Sequence, residues 1–416
     1  MTSVSVDNVS INSYEPVVGK TVIEEIKAAA EKLSEKSVCH VNSTSLGGGV
    51  AEILHRLVPL MRDLGLDTEW KVIEGSLEFF EATKTIHNGL QGMDVPLTEE
   101  MKGTYIQYNE MNAQKIKLDH DFVVVHDNQP AAIISHTVTR EKWLWRCHID
   151  LSTPGKRYIE FLVPHLLKYD TLIFTMEKSV PKQLESKRTA IITPSIDPLS
   201  DKNRTLSETT VLSVLDKFDV DSERPVITQV SRFDPWKDPL GVIDVYRQVK
   251  KKIPGVQLLL ITSMATDDPE GWTYYEKTAR YAGQDYDVHL LMNMQGVGNV
   301  EVNAFQRASD VVLQKSIREG FGLTVAEALW KQTPVVAGDA GGIPLQVIQG
   351  KTGYLVSSIE EAAEKTIFLL EHPEKAKQIG RKGKEHVLKN FLITRHVLAY
   401  LETFLRESGG NQNIGH

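Results

Sequence analysis

"DVVLQKSIREGFGLTVAEALW", Asp310–Trp330, passes from an apolar strand through a glycine-broken turn into a helix. The run "DVVLQ" has the length and composition of a buried strand. Gly320 and Gly322 let the backbone turn sharply and approach a ligand closely. Leu323–Trp330 then reads as a helix, with free backbone N–H groups at about Gly322 to Thr324. A strand feeding a helix in this way is half of a βαβ unit, and such units carry ligands at the carboxyl ends of their strands.

The same alternation extends to both sides. Before it stand the strands "PVITQVSRF", "VQLLLIT" and "DVHLLM" and the helices "PLGVIDVYRQVKKKIP" and "VEVNAFQRAS". After it come "TPVVAG", "GYLV" and the helices "SIEEAAEKTIFLLE" and "PEKAKQIGRKGKEHVLKN". The first half repeats the pattern, with strands "KSVCHVNST", "TEWKVI", "DFVVVHD", "KWLWRCHID" and "DTLIFT". Helices lie between them, among them "GGVAEILHRLVPLMRDLG" and "GKRYIEFLVPHLLKY". The stretch "TPSIDPLSDKNRTLSE", 193–208, lacks periodicity and reads as a linker. The fold class is therefore α/β, with two doubly wound Rossmann-like domains of similar size facing across a cleft. The expected boundaries are 1–205, 206–390 and 391–416, the last ending in the polar tail "SGGNQNIGH".

Bulk properties agree with this division. The chain has 416 residues, 41% hydrophobic and 25% charged, enough for two or three domains of roughly 150 residues. With 47 basic against 55 acidic residues and no Lys/Arg block, nucleic acid is excluded as a partner. An anionic ligand requires a local basic pocket, because the overall field repels it. Cys39 and Cys147 show no metal spacing and sit in apolar runs, so they read as reduced, buried thiols. The first residues form no signal peptide, and the longest apolar runs are too short to span a bilayer. A cytoplasmic enzyme or binding protein is expected, with no membrane partner.

Two carboxylates flank the opening turn, Glu319 before it and Glu327 in the helix. A helix N-terminus favours a phosphate. Helical side chains lean back toward that terminus, so Glu327 can face the same ligand. A carboxylate there must avoid the phosphate, and its natural partner is a pair of hydroxyls, such as a ribose diol; Glu319 suits a different polyol. The plainer reading makes Glu327 a helix-surface residue and Glu319 a dipole partner. A glycosidase carboxylate pair is a third, which the backbone phosphate site argues against.

In "VSRFDPWKDP", 230–239, Arg232 and Lys237 follow the first strand of the second half and suit a diphosphate, unless both are merely solvated. In "STSLGGGVAE", Gly47, Gly48 and Gly49 open a helix as a phosphate-contacting loop would, or form only a tight turn. "VVVHDNQPA" and "LWRCHIDLSTP" put His126, Asp127, His148 and Asp150 at carboxyl edges, where they can position sugar hydroxyls or be ordinary satisfied residues.

Together "SRFDPWKD" and "EGFGLTVAEA", with its E-x7-E spacing, resemble the retaining glycosyltransferases of GT-B fold. "DAGGIPLQVIQGKTGYLV" looks like the loop and strand that follow in those enzymes. "WLWRCHIDLSTP", "ITPSIDPLSDKN", "DDPEGW" and "GNVEVNAFQRASDVVLQKSIREGFGLTVAEALWK" are similar to the glycosyltransferring trehalose synthases. That resemblance implies transfer of glucose from a nucleoside diphosphate glucose, ADP- or UDP-glucose, to free glucose, giving α,α-trehalose. It implies that Arg232 and Lys237 hold the diphosphate and the amides of Leu323 and Thr324 the distal phosphate. Glu327 would bind ribose and Glu319 the transferred glucose. His148 would sit beside the reacting centre, Gly48 and Gly49 would let a loop close on the diphosphate, and Asp127 would bind the acceptor glucose. Glu319, His148, Arg232 and Lys237 are thus the implied catalytic group. The first domain becomes the acceptor side and the second the donor side. The helix "TRHVLAYLETFLRE" is expected to cross back to the first domain. No metal site and no tightly bound cofactor are implied; magnesium enters only as a stimulant paired with the nucleotide, and a homodimer stays open. A trehalose phosphorylase is the alternative reading. Asn128 departs from the group, which has proline after "HD".

Overall fold

A computed structural model describes residues 2–46, 48–115, 119–138, 140–264 and 269–409. Gly47, the first residues of "DDPEGW" and the tail from Gly410 lie outside the described residues. The chain divides into two compact units, Met1–Ser195 with Ile393–His416, and Ile196–Leu392. The expected breaks at 205/206 and 390/391 stand beside these observed ones.

The first unit is built on strands β1 (Thr2–Ser3), β2 (Ser37–Asn42), β3 (Asp67–Val72), β4 (Phe122–His126), β5 (Lys142–Arg146), β6 (Thr171–Phe174) and β7 (Thr189–Ile191). They lie in the order β1-β3-β2-β4-β5-β6-β7. All neighbours are parallel except β1, which pairs antiparallel with β3. Helices α1 (Glu15–Val18), α2 (Lys20–Glu31), α3 (Gly48–Asp63), α4 (Leu77–Leu90), α5 (Glu99–Lys115) and α6 (Lys156–Leu166) connect them. Alternate strand residues point to opposite faces, so each face carries its own apolar core. Val38, Val124 and Leu144 join Leu54, Leu57 and Trp70 on one side. Val123, Trp143 and Trp145 join Phe79, Tyr105 and Leu162 on the other.

The second unit holds β8 (Val226–Val230), β9 (Gln257–Thr262), β10 (Val288–Met292), β11 (Val311–Gln314), β12 (Val335–Gly338) and β13 (Gly353–Val356). These six parallel strands lie in the order β10-β9-β8-β11-β12-β13. Its helices are α7 (Glu208–Lys217), α8 (Pro239–Lys252), α9 (Pro269–Ala282), α10 (Asn299–Ala308), α11 (Leu323–Trp330), α12 (Ile343–Gln346), α13 (Ile359–Glu371) and α14 (Pro373–Asn390). The last helix, α15 (Ile393–Ser408), belongs to the first unit. Its face of Val397, Leu401 and Phe404 packs in the core that holds α2 and α3.

The strand order places a switch point in each sheet: β8 lies between β9 and β11, and β2 between β3 and β4. At a switch point the connections leave in opposite directions and open a crevice at the carboxyl ends. The stretch 193–208 is not a free linker. Ile196 bonds through its amide to Phe391 O at 2.9 Å. The Trp330 indole and the Lys331 ammonium donate to Asn203, and Asn303 donates to the carbonyls of Asp201 and Arg204. Asn203 is buried at the centre of this turn, while Asp201, Arg204 and Thr205 stay exposed. Among the described residues, no helix is long and apolar enough to cross a membrane.

Candidate active site

In the second unit the β8 loop is shaped by Asp234. Its carboxylate accepts the amides of Trp236 at 2.9 Å and Lys237 at 3.1 Å. Burial raises the Asp234 pKa, opposed by the nearby Lys237 and Arg232 charges. Asp238 then takes a left-handed φ of 49° and caps α8 by accepting the Gly241 amide at 3.1 Å. Lys315, just after β11, reaches Asp238 Oδ2 at 2.5 Å. A further main-chain bond, Ile317 N to Trp236 O at 2.7 Å, ties the β8 and β11 loops together.

That tie brings the predicted residues together. Lys237 Nζ lies 2.6 Å from Glu319 Oε2, with only 17% and 12% of the two side chains exposed. Ser316 Oγ donates to the same carboxylate oxygen at 3.3 Å. Arg232 stays 65% exposed, its guanidinium 3.8 Å from Asp234 Oδ2. It is therefore available to a ligand.

The turn is held by a second glycine loop. A Cβ on Gly341, whose φ is +51°, would lie 1.4 Å from the Glu319 carbonyl oxygen, and one on Gly338 would lie 2.3 Å from that of Ser316. Only glycine lets the loop after β12 lie on the Ser316–Phe321 backbone. Gln346 pins it from below by donating to Phe321 O at 2.5 Å. Gly322, at φ 84°, precedes Leu323 and Thr324 in the first turn of α11.

Glu327 is not a helix-surface residue: it is 0% exposed. Lys202 Nζ lies 3.5 Å from its Oε1. Lys202 was not singled out from the sequence because it sits in the stretch read as a linker. The cavity at the neighbouring strand edge is lined by Lys315, Ser316, Gly338 and Asp339, and includes neither Lys237 nor Glu319.

In the first unit, Gly48 and Gly49 open α3 after β2, Gly48 with φ 76°. Asp127 takes a left-handed φ of 61° at the end of β4. Its Oδ1 accepts the His148 amide at 2.7 Å, and its carbonyl accepts the Trp145 indole at 2.8 Å. Burial pushes the Asp127 carboxyl up to about 6, against the opposing pull of the His148 amide and the Arg146 charge. Asn128 is fully buried, donating to Thr83 O at 3.0 Å while its own carbonyl accepts the Tyr105 hydroxyl at 2.7 Å. The loop that proline would stiffen is thus anchored to α4 and α5 by hydrogen bonds instead. Around Asp127 and His148 lie His40, His126, Arg146, His396 and Tyr400, all buried. Of these only His126 is a candidate from the sequence alone, where it stands at a strand's carboxyl edge. Among the described residues no cluster of His, Cys, Asp or Glu could hold a metal ion.

Comparison with known proteins bears on this arrangement. Residues 40–181 match the family model "Trehalose synthase, N-terminal domain", and residues 214–386 match "Glycosyl transferases group 1". A trehalose synthase of Thermococcus litoralis is 56% identical over 394 residues, 94% of this chain and 96% of that one. The chain belongs to the trehalose synthase family. A trehalose phosphorylase of Pleurotus pulmonarius is similar at 27% identity, covering 83% of this chain but 54% of the relative. The fold agrees with a solved α,α-trehalose-phosphate synthase (UDP-forming) from Burkholderia xenovorans, in complex with glucose-6-phosphate, at TM-score 0.74 and 13% identity, covering 90% of this chain and 100% of that one. This trehalose synthase family member therefore has the GT-B fold and is a glycosyltransferase. The resemblance read from "SRFDPWKD" and "EGFGLTVAEA" holds.

Proposed function

We propose that the chain transfers glucose from a nucleoside diphosphate glucose to free glucose, with the α configuration retained, giving α,α-trehalose and the nucleoside diphosphate. The observation that carries this reading is the Lys237–Glu319 pair at the switch point of the second sheet, with exposed Arg232 on the same loop. An ammonium has three donors. With one on Glu319, two remain for diphosphate oxygens, and Arg232 adds a bidentate clamp. Both offset the charge that builds as the diphosphate leaves, the role a metal would otherwise take. The amides of Leu323 and Thr324 hold the distal phosphate, and Glu319 accepts hydroxyls of the transferred glucose.

Glu327 receives the ribose hydroxyls, which take the place of Lys202 on its carboxylate. In the first unit Gly48 and Gly49 let the backbone approach the diphosphate. Asp127 holds acceptor hydroxyls and His148 holds the transferred sugar. The acceptor proton passes to the leaving phosphate oxygen, so no enzyme nucleophile is needed, and the protein acts by positioning and electrostatics. Magnesium, when present, accompanies the nucleotide. The same reading makes this a cytoplasmic enzyme.

Incubation of the protein with trehalose tests the co-substrate. Nucleoside diphosphate glucose formed from trehalose plus ADP or UDP supports the proposal. Glucose 1-phosphate formed from trehalose plus phosphate, with no reaction of either nucleotide, makes the chain a phosphorylase and removes the ribose role of Glu327.

A further inference from the structure

Three histidines of the first unit stand in one hydrogen-bonded row. His148 Nε2 lies 2.9 Å from His126 Nδ1, and His126 Nε2 lies 3.0 Å from His40 Nδ1. His40 is on β2, His126 ends β4 and His148 follows β5, and these strands are neighbours in the sheet. His40 is 0% and His126 2% exposed, while His148, at the outer end, is only partly buried.

The row is coupled by proton count. A neutral imidazole has one N–H and one bare nitrogen. Both bonds form only if all three rings take the same sense: every Nδ1 carries the proton, or every Nε2 does. The inner end chooses. His40 Nε2 is buried with no hydrogen-bond partner among the described residues. Orphaned buried N–H groups are rarer than under-satisfied acceptors. The stable arrangement leaves His40 Nε2 bare. His40 Nδ1–H then donates to His126, His126 Nδ1–H donates to His148, and His148 Nδ1–H points away from the row.

The surroundings keep the rings neutral. Arg146 of β5 is fully buried, with no hydrogen-bond partner for its guanidinium among the described residues. His396 and Tyr400 face the row from α15, and Asp127 from the β4 turn. Burial, then neighbouring charges including Arg146, hold His126 and His148 well below the usual imidazole range. Burial takes His40 to about 3.

We propose that His40 and His126 are positioning residues that lock His148 as the Nδ1–H tautomer, presenting a fixed donor to a hydroxyl of the transferred sugar. The sugar contact rests on the function proposed above; the tautomer lock does not. In this state His148 accepts at Nε2 and donates at Nδ1, so it has no lone pair for general-base work. The acceptor proton is left to the phosphate oxygen, and the ring fixes orientation alone.

Nitrogen NMR of the free protein, labelled at histidine, reads the lock without any sugar nucleotide. The expected wild-type spectrum has a pyrrole-like Nδ1 and a pyridine-like Nε2 at His148. His40→Leu removes the inner donor, and His148 becomes a tautomer mixture. With donor glucose and acceptor, kcat falls roughly tenfold, the loss of one positioning hydrogen bond of about 1.4 kcal/mol, while the donor KM is unchanged. His40→Asn sets an amide where Nδ1 stood and recovers most of kcat. A wild-type His148 protonated at Nε2 overturns the proposal, as do unchanged His148 signals in His40→Leu. If no nucleoside diphosphate glucose reacts at all, the functional reading fails while the spectrum still judges the lock.

Discussion

Lys237 and Glu319 hold each other 2.6 Å apart at low exposure, which orders the ammonium before a ligand arrives. A preordered cation costs no reorganisation when charge develops on the leaving group. Lys237→Ala is therefore expected to lower kcat on the order of a hundredfold in steady-state assays, more than it raises the donor KM. Arg232 is exposed, so its loss is expected to raise the donor KM as well. Glu327 is buried against Lys202. Glu327→Gln keeps the shape and removes the charge, so the donor KM is expected to rise by roughly ten- to a hundredfold with kcat little changed, because charged hydrogen bonds contribute about 1.5–3 kcal/mol each. An unchanged KM would remove the ribose from this residue.

The loops after β8, β11 and β12 act as one element, fastened by the Ile317–Trp236 main-chain bond and by glycines that lie against backbone. Gly341→Ala has no room and an unfavourable φ. It is expected to displace Glu319 and abolish transfer while circular dichroism stays near wild type; full activity would show that the turn is not held this way. The strand–turn–helix pattern of Asp310–Trp330 was legible because apolar period, glycine punctuation and helix start agree locally. The pairing of Lys237 with Glu319 was legible only as a shared strand edge, since their contact depends on β8 lying beside β11. Lys202 was not legible: a run rich in Pro, Ser, Asp and Asn looks unstructured until its turn is seen to accept hydrogen bonds from side chains of α10 and the end of α11. The His40–His126–His148 row was hidden because its rings come from β2, the end of β4 and the loop after β5, which meet only once the strand order is known.

For the molecule as a whole, buried neutral histidines set the acid limit. Burial first, and for His396 also the Arg146 charge, takes His40 and His396 down to about 3. The unfolded chain takes up these protons near pH 6.5, the native chain does not, so stability is full above that pH and is lost as pH falls toward 3. The two groups together cost up to about 3 kcal/mol per pH unit within that window. Asp127 has the opposite sign, because its raised pKa of about 6 lets the native state bind a proton between roughly pH 4 and 6, but it is one group against several. Calorimetry from pH 7.5 to 5 is expected to show a falling Tm, and a flat Tm would contradict neutral burial. Burial pushes the Cys39 thiol up to about 12 and raises the Cys147 thiol well above its ordinary value, so both are expected to resist thiol reagents until the protein is denatured.

The most direct measurement is product analysis after incubating the protein with ADP-glucose or UDP-glucose and free glucose. Trehalose and free nucleoside diphosphate in equal amounts are the predicted result. Hydrolysis of the donor without trehalose, or no reaction with either donor, would contradict the account.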